Sequence, residues 1–166
     1  MFLSLISRLN QLHSPPMIVA LHDPPVRTGR LPSFSTYNYF HHPVTKPRVA
    51  FYVHPHHLNS VSLLPIVTSH PDLLSIDIFA AGGFYELQFS HLRIINAYNL
   101  PLFRAPFRTI SPSDIFQDSS FPTLIVADLN LYHSLADPLR VLSPGKYCLS
   151  HPYFNQVSKY GFALLN

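Results

Sequence analysis

The chain has 166 residues, of which 47% are apolar, 13% aromatic and only 11% Asp, Glu, Lys or Arg, against about 25% charged residues in an ordinary soluble domain. This apolar content excludes an intrinsically disordered chain and suffices for one domain over residues 1–166. Seventeen Pro against five Gly exclude coiled coils and bundles of long helices, and a net charge of +3 without clustered Lys or Arg permits a polyanionic partner without requiring one.

The chain opens on a predicted amphipathic helix that ends before the Ser-Pro-Pro break at 14–16. We expect its apolar stripe to pack on a sheet rather than to face a membrane or a partner. The stripe recurs at helical spacing and comprises Phe2, Leu5, Ile6, Leu9 and Leu12.

Strands are predicted on both sides of a long loop. A short apolar run over 17–21, bounded by Pro on both sides, predicts a buried strand with Asp23 at its C-terminal end. The polar and aromatic stretch 26–47 has no periodicity, so we expect no element there. Residues 48–53 are rich in β-formers and predict the next strand.

The middle of the chain is also β-rich. Alternation of apolar and polar residues around Ile76 predicts a half-buried strand, with Asp77 on its solvent face. Two further runs, 85–89 and 92–98, predict an antiparallel hairpin that turns at Ser90-His91.

The last third contains two predicted helices and one strand. A short helix is expected to start at Ser111 or Ser113, with Asp114 in its first turn. The near-continuous apolar run 123–127 predicts a central strand covered on both faces, with Asp128 at its end. A final helix is predicted from the apolar stripe of Tyr153, Phe154, Val157 and Tyr160.

Only eight carboxylates are available to an acid-dependent site. Asp23 and Asp128 alone lie at the C-terminal end of a buried apolar strand, where α/β sheets and sandwiches gather their chemistry. Asp128 and Asn130 are two residues apart, so both side chains point to one side of an extended segment, where the carboxylate could activate water and the amide hold it. Asn96 and Tyr98 form a similar pair, and a Tyr hydroxyl can donate to a phosphoryl oxygen.

Four segments, in this order, resemble the endonuclease/exonuclease/phosphatase superfamily, and more narrowly the endonuclease domain of fungal non-LTR (LINE-like) retrotransposons. They are IVALHDPP at 18–25, RIINAY at 93–98, TLIVADLNLYHSLADP at 123–138 and GFALLN at 161–166. The ordered set, each member at a strand end, is more specific than any single triplet. The resemblance implies an α/β fold, a layered α/β sandwich of this type, truncated at both ends, so that 1–166 would be a single, incomplete domain.

The resemblance also implies a reaction. Members hydrolyse a phosphodiester with Mg²⁺ or Mn²⁺, which implies DNA as the ancestral substrate and a nuclear location. Asp23 stands where the family has a metal-binding Glu. Asp128 and Asn130 match the motif in which the Asp readies the attacking water and the Asn holds the water or the phosphate.

Other positions match or depart from the family in ways that bear on activity. Tyr98 matches the phosphate-contacting Tyr, with Asn96 as its neighbour, and His133 matches the second of two His residues that often follow the Asp-x-Asn motif. Asn96 and His133 are therefore the expected substrate-binding residues. The family's terminal Ser-Asp-His has no counterpart, because no Asp is followed by His in this sequence. We therefore expect weak or no turnover; the alternative is a non-catalytic remnant, or a module that only binds nucleic acid or protein.

Each candidate residue also has an ordinary structural interpretation. Asp128 and Asn130 could form an Asx turn, and Asp23 could be a Pro-flanked turn residue. The His residues within 41–42 and 54–57 lack further ligands at zinc spacing, so we expect them to be surface residues. A phosphate backbone or plain solvation would account equally well for Lys46, Arg48, Arg104 and Arg108.

Compartment signals favour the cell interior. Arg8 interrupts the first apolar run and no basic segment precedes it, so a signal peptide is not expected. No stretch reaches the about 18 apolar residues of a membrane span, so we expect no membrane partner. Cys148 is the only cysteine, which excludes an intramolecular disulfide and a Cys-rich zinc site, and leaves us expecting no disulfide-linked partner.

Overall fold

A computed structural model describes residues 8–9, 11–13, 16–26, 30–33, 36–55, 61–67, 70–84, 89–99, 110–116, 122–129, 152, 155–157 and 159. Internal contacts divide the chain into two compact units. One comprises Met1–Tyr98 and Phe121–Ala127, and the other comprises Asn99–Ser120 and Asp128–Asn166.

The first unit contains a three-stranded antiparallel sheet. Its strands are β1 (Ile18–His22), β2 (Asn38–His41) and β3 (Val49–Val53), in the order β1-β3-β2. Both β1 and β2 pair with β3, so β3 is central and all five of its residues are buried. Burial on both faces explains why this strand is a continuous apolar run without alternation.

A hydrophobic cluster covers one face of this sheet. Ala50 and Tyr52 of β3 pack there with Leu31 and Tyr37, and Leu9 lies against the cluster. The Tyr52 hydroxyl donates to the Pro32 carbonyl over 2.9 Å, which satisfies the polar end of a fully buried ring. The predicted packing of the first helix on a sheet is therefore confirmed at Leu9.

The stripe of that helix extends less far than its spacing predicts. Arg8 and Leu9 are helical, whereas residues 11–13 are not, and Leu12 is 52% exposed. The prediction that Leu12 belongs to the buried stripe is wrong, because the helix has ended before its side chain can reach the sheet.

The second sheet has four strands in the order β4-β5-β6-β7. They are β4 (Val61–Val67), β5 (Leu73–Phe84), β6 (Phe89–Tyr98) and β7 (Thr123–Asp128). β5 pairs antiparallel with both β4 and β6. Pro65 lies in β4, the edge strand, where its missing N–H removes no ladder bond from a central strand.

The sheet is mixed, because β7 runs parallel to β6. The Arg93 N–H donates to the Pro122 carbonyl over 3.0 Å, and the Asn99 N–H donates to the Asp128 carbonyl over 2.9 Å. From the first bond to the second, the residue number rises from 93 to 99 on one segment and from 122 to 128 on the other. This equal rise in the same direction is what a parallel ladder requires.

The two sheets pack face to face within the first unit. Val49 and Phe51 of β3 lie on the face opposite Ala50 and Tyr52, because successive side chains of a strand alternate. Ile94 of β6 and its partner Ile76 of β5 lie on the same face of the second sheet as Asn96, whose amide reaches the first sheet, and all of these side chains are buried. The main core of this unit is thus the space between its sheets.

A short helix in the second unit confirms one prediction. The helix α1 (Pro112–Ile115) follows Ser111, whose N–H donates to the Asp114 carboxylate over 3.0 Å. The Asp114 side chain therefore stabilises the first turn in the predicted manner. Residues 152, 155–157 and 159 are helical, in agreement with the predicted final helix.

The prediction of no element over 26–47 is wrong, because β2 lies within it. Tyr39 of β2 pairs with Tyr52 of β3, and their ring centroids are 5.9 Å apart. Four residues carry too little local periodicity to identify a strand, so pairing with β3 decides the structure.

The predicted hairpin turn at Ser90-His91 is also wrong, because both residues lie inside β6. The His91 ring stacks on the Phe79 ring of β5 with centroids 4.2 Å apart, so the cross-strand pairing continues through the predicted turn. The segment 85–88 lies outside the described residues.

Three burial predictions for the strands are wrong. Residues 17–21 are half-buried rather than buried, because β1 lies at the edge of its described sheet. Asp77 is 4% exposed rather than solvent-facing, because Arg93 on the neighbouring strand neutralises it. Residues 123–127 form β7 at the edge of the described sheet, with Leu124 38% exposed, rather than a central strand covered on both faces. A continuous apolar run therefore does not by itself identify a central strand.

The described residues form two small mixed or antiparallel sheets with few helices, so the fold is rich in sheet. None of the helices among the described ranges has the length and apolar character needed to cross a membrane.

Candidate functional site

The backbone at the end of β1 brings Asp23 next to Arg48. The Asp23 N–H donates to the Arg48 carbonyl over 2.7 Å, which extends the β1–β3 ladder by one pair beyond His22 and Val49. Asp23 has a φ of 43°, in the left-handed region that Asp tolerates better than most residues. The chain turns sharply here while the carboxylate stays beside β3.

An ion pair closes this end of the first sheet. Nη1 of Arg48 donates to Oδ1 of Asp23 over 2.5 Å. The Arg48 side chain is 15% exposed and the Asp23 side chain 48% exposed, so the cation is largely covered and the anion is at the rim. Solvent therefore reaches the carboxylate more readily than the guanidinium.

Tyr98, the last residue of β6, lies against the same guanidinium. Cζ of Arg48 is 5.5 Å from the centre of the Tyr98 ring, within the range of a cation–π interaction. The His22 ring centroid is 6.0 Å from that of Tyr98, and the Tyr98 N–H donates to the Asp72 carbonyl over 3.0 Å. Ends of β1, β3 and β6 thus meet around Tyr98.

Asn96 joins the two sheets beneath this group. Its side chain is fully buried, and Nδ2 donates to the carbonyls of Leu21 on β1, over 3.2 Å, and Ala50 on β3, over 3.0 Å. Those carbonyls belong to residues that face each other in the β1–β3 ladder. The amide predicted to bind substrate is therefore engaged in holding the sheets together.

Two polar atoms of this region are buried without a hydrogen-bond partner among the described residues. They are Nε2 of His22 and Oδ1 of Asn96. Most buried polar groups in folded proteins are hydrogen-bonded, and leaving one unsatisfied costs about 1–3 kcal/mol. The region therefore has hydrogen-bonding capacity that its own side chains do not use.

The structure brings together only some of the predicted site residues. Asp23, Asn96 and Tyr98 meet in the first unit at the ends of β1 and β6. Asp128 is the last residue of β7 and belongs to the second unit, while β1 and β7 belong to different sheets. Asn130 and His133 lie outside the described residues.

Arg48 is the residue that sequence reasoning undervalued. It was one of four scattered cations, yet it contacts both Asp23 and Tyr98. A signal was present, because Arg48 is the first residue of one predicted strand and Asp23 closely follows another. Antiparallel pairing of those two strands would have placed the two charges opposite each other.

The described residues alone do not fit a divalent metal ion. They contain no group of three or more His, Cys, Asp or Glu side chains that could hold one. Mg²⁺ prefers carboxylate oxygens, but Oδ1 of Asp23 already accepts from the Arg48 guanidinium, whose positive charge opposes a second cation. The implied role of Asp23 as a metal ligand therefore conflicts with its ion pair.

The predicted surface His residues include one that is buried. His42 is 5% exposed, and its Nε2 donates to the Leu73 carbonyl at the start of β5 over 2.7 Å. His54 meets the Tyr37 ring edge-on with centroids 5.1 Å apart. The surface prediction is wrong for His42, since this hydrogen bond satisfies its ring within the fold.

A second ion pair crosses β5 and β6. Arg93 donates from Nε to Oδ1 and from Nη2 to Oδ2 of Asp77, over 2.6 and 2.8 Å. These hydrogen bonds hold the pKa of the Asp77 carboxyl below its usual value. His91 also lies 3.4 Å from Oδ2, so the buried carboxylate is well compensated and suits a structural role.

Comparison of the chain with protein-family models, with curated proteins and with solved structures finds no match.

Proposed function

We propose that the chain is a phosphodiester-hydrolase domain derived from a retrotransposon endonuclease, with weak or no turnover in this chain. The proposed fold is the layered α/β sandwich of the endonuclease/exonuclease/phosphatase superfamily. One observation carries the proposal: Asp23 and Tyr98, far apart in sequence, both contact Arg48 at one end of the first unit. The segments that resemble the family at 18–25 and 93–98 therefore converge.

The chemistry of this group suits a phosphate. A guanidinium has five N–H donors in a planar fork that matches phosphate oxygens, and a Tyr hydroxyl adds a neutral donor. DNA is the proposed substrate or ligand, and an intracellular, nuclear location belongs to the same proposal. The modest net charge of +3 agrees with local rather than extended contact with a polyanion.

Weak turnover follows from the partner of Asp23. In the family, Mg²⁺ or Mn²⁺ neutralises the phosphate and activates water. Asp23 would have to give up its hydrogen bond with Arg48 to offer Oδ1 to such an ion. Arg48 would also repel the ion at short range.

A plasmid-nicking assay with Mg²⁺ and with Mn²⁺ tests the hydrolase proposal. We expect slow nicking at most, and we expect Asp128→Ala to remove whatever metal-dependent nicking is present. Asp114→Asn is the matched control, because it removes a carboxylate that belongs to no family motif and stabilises only the turn at α1. Robust nicking by the unaltered chain would contradict weak turnover, and residual nicking equal in Asp128→Ala would contradict the proposed site.

The Asp23–Arg48 pair favours a second candidate, a module that binds nucleic acid without hydrolysing it. The pair leaves a cation and an aromatic ring at the site but opposes a metal ion. Complete absence of metal-dependent nicking, together with salt-sensitive DNA binding, would favour this candidate over the hydrolase.

A further inference from the structure

The described part of the first unit contains three buried or half-buried groups that the proposed reaction does not use: the Asp77–Arg93 pair, the buried His42, and Arg48 with its neighbours. The first two are satisfied within the fold. Arg48 differs because its partner is a carboxylate at the rim, 48% exposed, which solvent and solutes can reach.

We infer that Arg48 is an oxyanion-binding residue and that Asp23 is its intramolecular competitor. In this structure the Asp23 carboxylate accepts a hydrogen bond from the Arg48 guanidinium, with Oδ1 2.5 Å from Nη1, as an anionic ligand would. A phosphate that displaces the carboxylate takes its place on the same fork. The inference deepens the proposed function and rests on its phosphate chemistry, but it does not require hydrolysis.

The surroundings of Arg48 keep it in place when the carboxylate leaves. The side chain is only 15% exposed and lies over the Tyr98 ring, 5.5 Å from Cζ to the ring centre. The backbone carbonyl of Arg48 is independently held by the Asp23 N–H. The guanidinium is therefore positioned by contacts other than the ion pair.

An imidazole also lies beside the Tyr98 ring that covers Arg48. Nε2 of His22 is buried without a partner among the described residues, and its ring lies beside Tyr98. A tetrahedral oxyanion carries more acceptor oxygens than the carboxylate it displaces, so it can accept from further N–H groups of the Arg48 guanidinium.

Asp23 can be changed without disturbing the turn. Asn and Gly both tolerate a φ of 43°, so Asp23→Asn and Asp23→Gly keep the left-handed backbone while removing the negative charge. Asp23→Asn also keeps the size of the side chain. Together the two variants separate loss of charge from loss of shape.

The test is titration of the whole chain with inorganic phosphate, followed by ³¹P NMR or calorimetry. We expect Asp23→Asn and Asp23→Gly to bind phosphate about tenfold more tightly than the unaltered chain, because each loses a competing and repelling carboxylate. Asp23→Asn combined with Arg48→Gln should lose that gain. Lys46→Gln, which removes an exposed cation close by in the sequence, should leave it intact.

The same variants titrated with a short single-stranded DNA separate the two sources of phosphate. Tighter binding of both probes supports the inference for free phosphate and phosphodiesters alike, and tighter binding of DNA alone supports it for the diester. Unchanged affinity of both Asp23 variants for both probes would overturn it. So would a double variant that binds as tightly as Asp23→Asn.

The inference and the proposed hydrolase fail in different ways. A chain that never nicks DNA but gains phosphate affinity in Asp23→Asn rejects the hydrolase and retains the oxyanion site. A chain that nicks DNA with Asp128 but shows no gain retains the hydrolase and rejects the competitor role of Asp23.

Discussion

Nδ2 of Asn96 lies 3.0 Å from the carbonyl oxygen of Ala50, so a single amide of the second sheet is hydrogen-bonded to the central strand of the first. The same nitrogen reaches the Leu21 carbonyl. Because a carbonyl oxygen has two lone pairs, the amide can bind both strands without breaking their ladder. The contact holds the ends of β1, β3 and β6 together.

Replacing Asn96 with Ala should destabilise the protein by about 2 kcal/mol, since two buried hydrogen bonds and some packing are lost. Urea denaturation followed by circular dichroism measures the change. Asn99→Ala is the control for the loss of a buried amide. Asn99 is also buried, but its side chain accepts from the Ile110 N–H in the second unit and does not join the two sheets of the first. A loss below about 0.5 kcal/mol for Asn96→Ala would show that the amide does not hold the sheets.

Replacing Asp77 with Asn should destabilise the protein by about 3 kcal/mol, because it leaves the Arg93 charge without its partner. The combination with Arg93→Gln should cost clearly less than the sum of the two single changes. Additive effects of the two changes would contradict a direct interaction.

The Asp77–Arg93 pair should make the free energy of unfolding depend on pH. Arg93 lowers the pKa of Asp77 in the folded state, so the pair stabilises the fold above the unfolded-state pKa of about 3.9. That contribution is lost as the pH falls through the folded-state pKa. The free energy of unfolding should fall less on acidification in Asp77→Asn than in the unaltered chain, as measured by urea denaturation between about pH 5 and 3. Equal slopes would contradict the prediction.

Tyr52 should affect stability at the alkaline end. Burial, and to a lesser degree the neighbouring Tyr39, raises the pKa of its hydroxyl to about 12. The raised pKa means that stability is fully present below about pH 10 and is lost as the pH rises through the folded-state value. Tyr52→Phe should cost about 1 kcal/mol at neutral pH, through the hydrogen bond to Pro32, and should flatten the alkaline loss. Urea unfolding at pH 8 and at pH 11 measures the loss of unfolding free energy between these two pH values. An equal loss in Tyr52→Phe and in the unaltered chain would contradict the prediction.

Strand ends were predictable from sequence, whereas strand partners were not. The ends of β1 at His22, β6 at Tyr98 and β7 at Asp128 follow from local apolar runs and the breaks beside them. The ends of β1 and β6 position Asp23 and Tyr98, because the backbone of a residue at or just beyond a strand end is held by the strand.

What could not be predicted depends on pairing. β2 is a strand because β3 lies beside it, and Asp77 is buried because Arg93 lies opposite on β6. The contact between Asp23 and Arg48 likewise depends on the register of β1 against β3. Local sequence pattern carries no register, so it predicts a solvent-facing Asp77 and does not link Arg48 to Asp23.

DNA binding by the unaltered chain and by Arg48→Gln, across a range of salt concentrations, tests most directly whether this end of the first unit recognises phosphodiesters. Fluorescence anisotropy with a labelled duplex should show salt-dependent binding that Arg48→Gln weakens about fivefold, with a salt slope smaller by about one. Lys46→Gln should weaken it less, because that side chain is exposed in the loop before β3. Absence of binding, or equal affinity and slope in Arg48→Gln, would contradict the account.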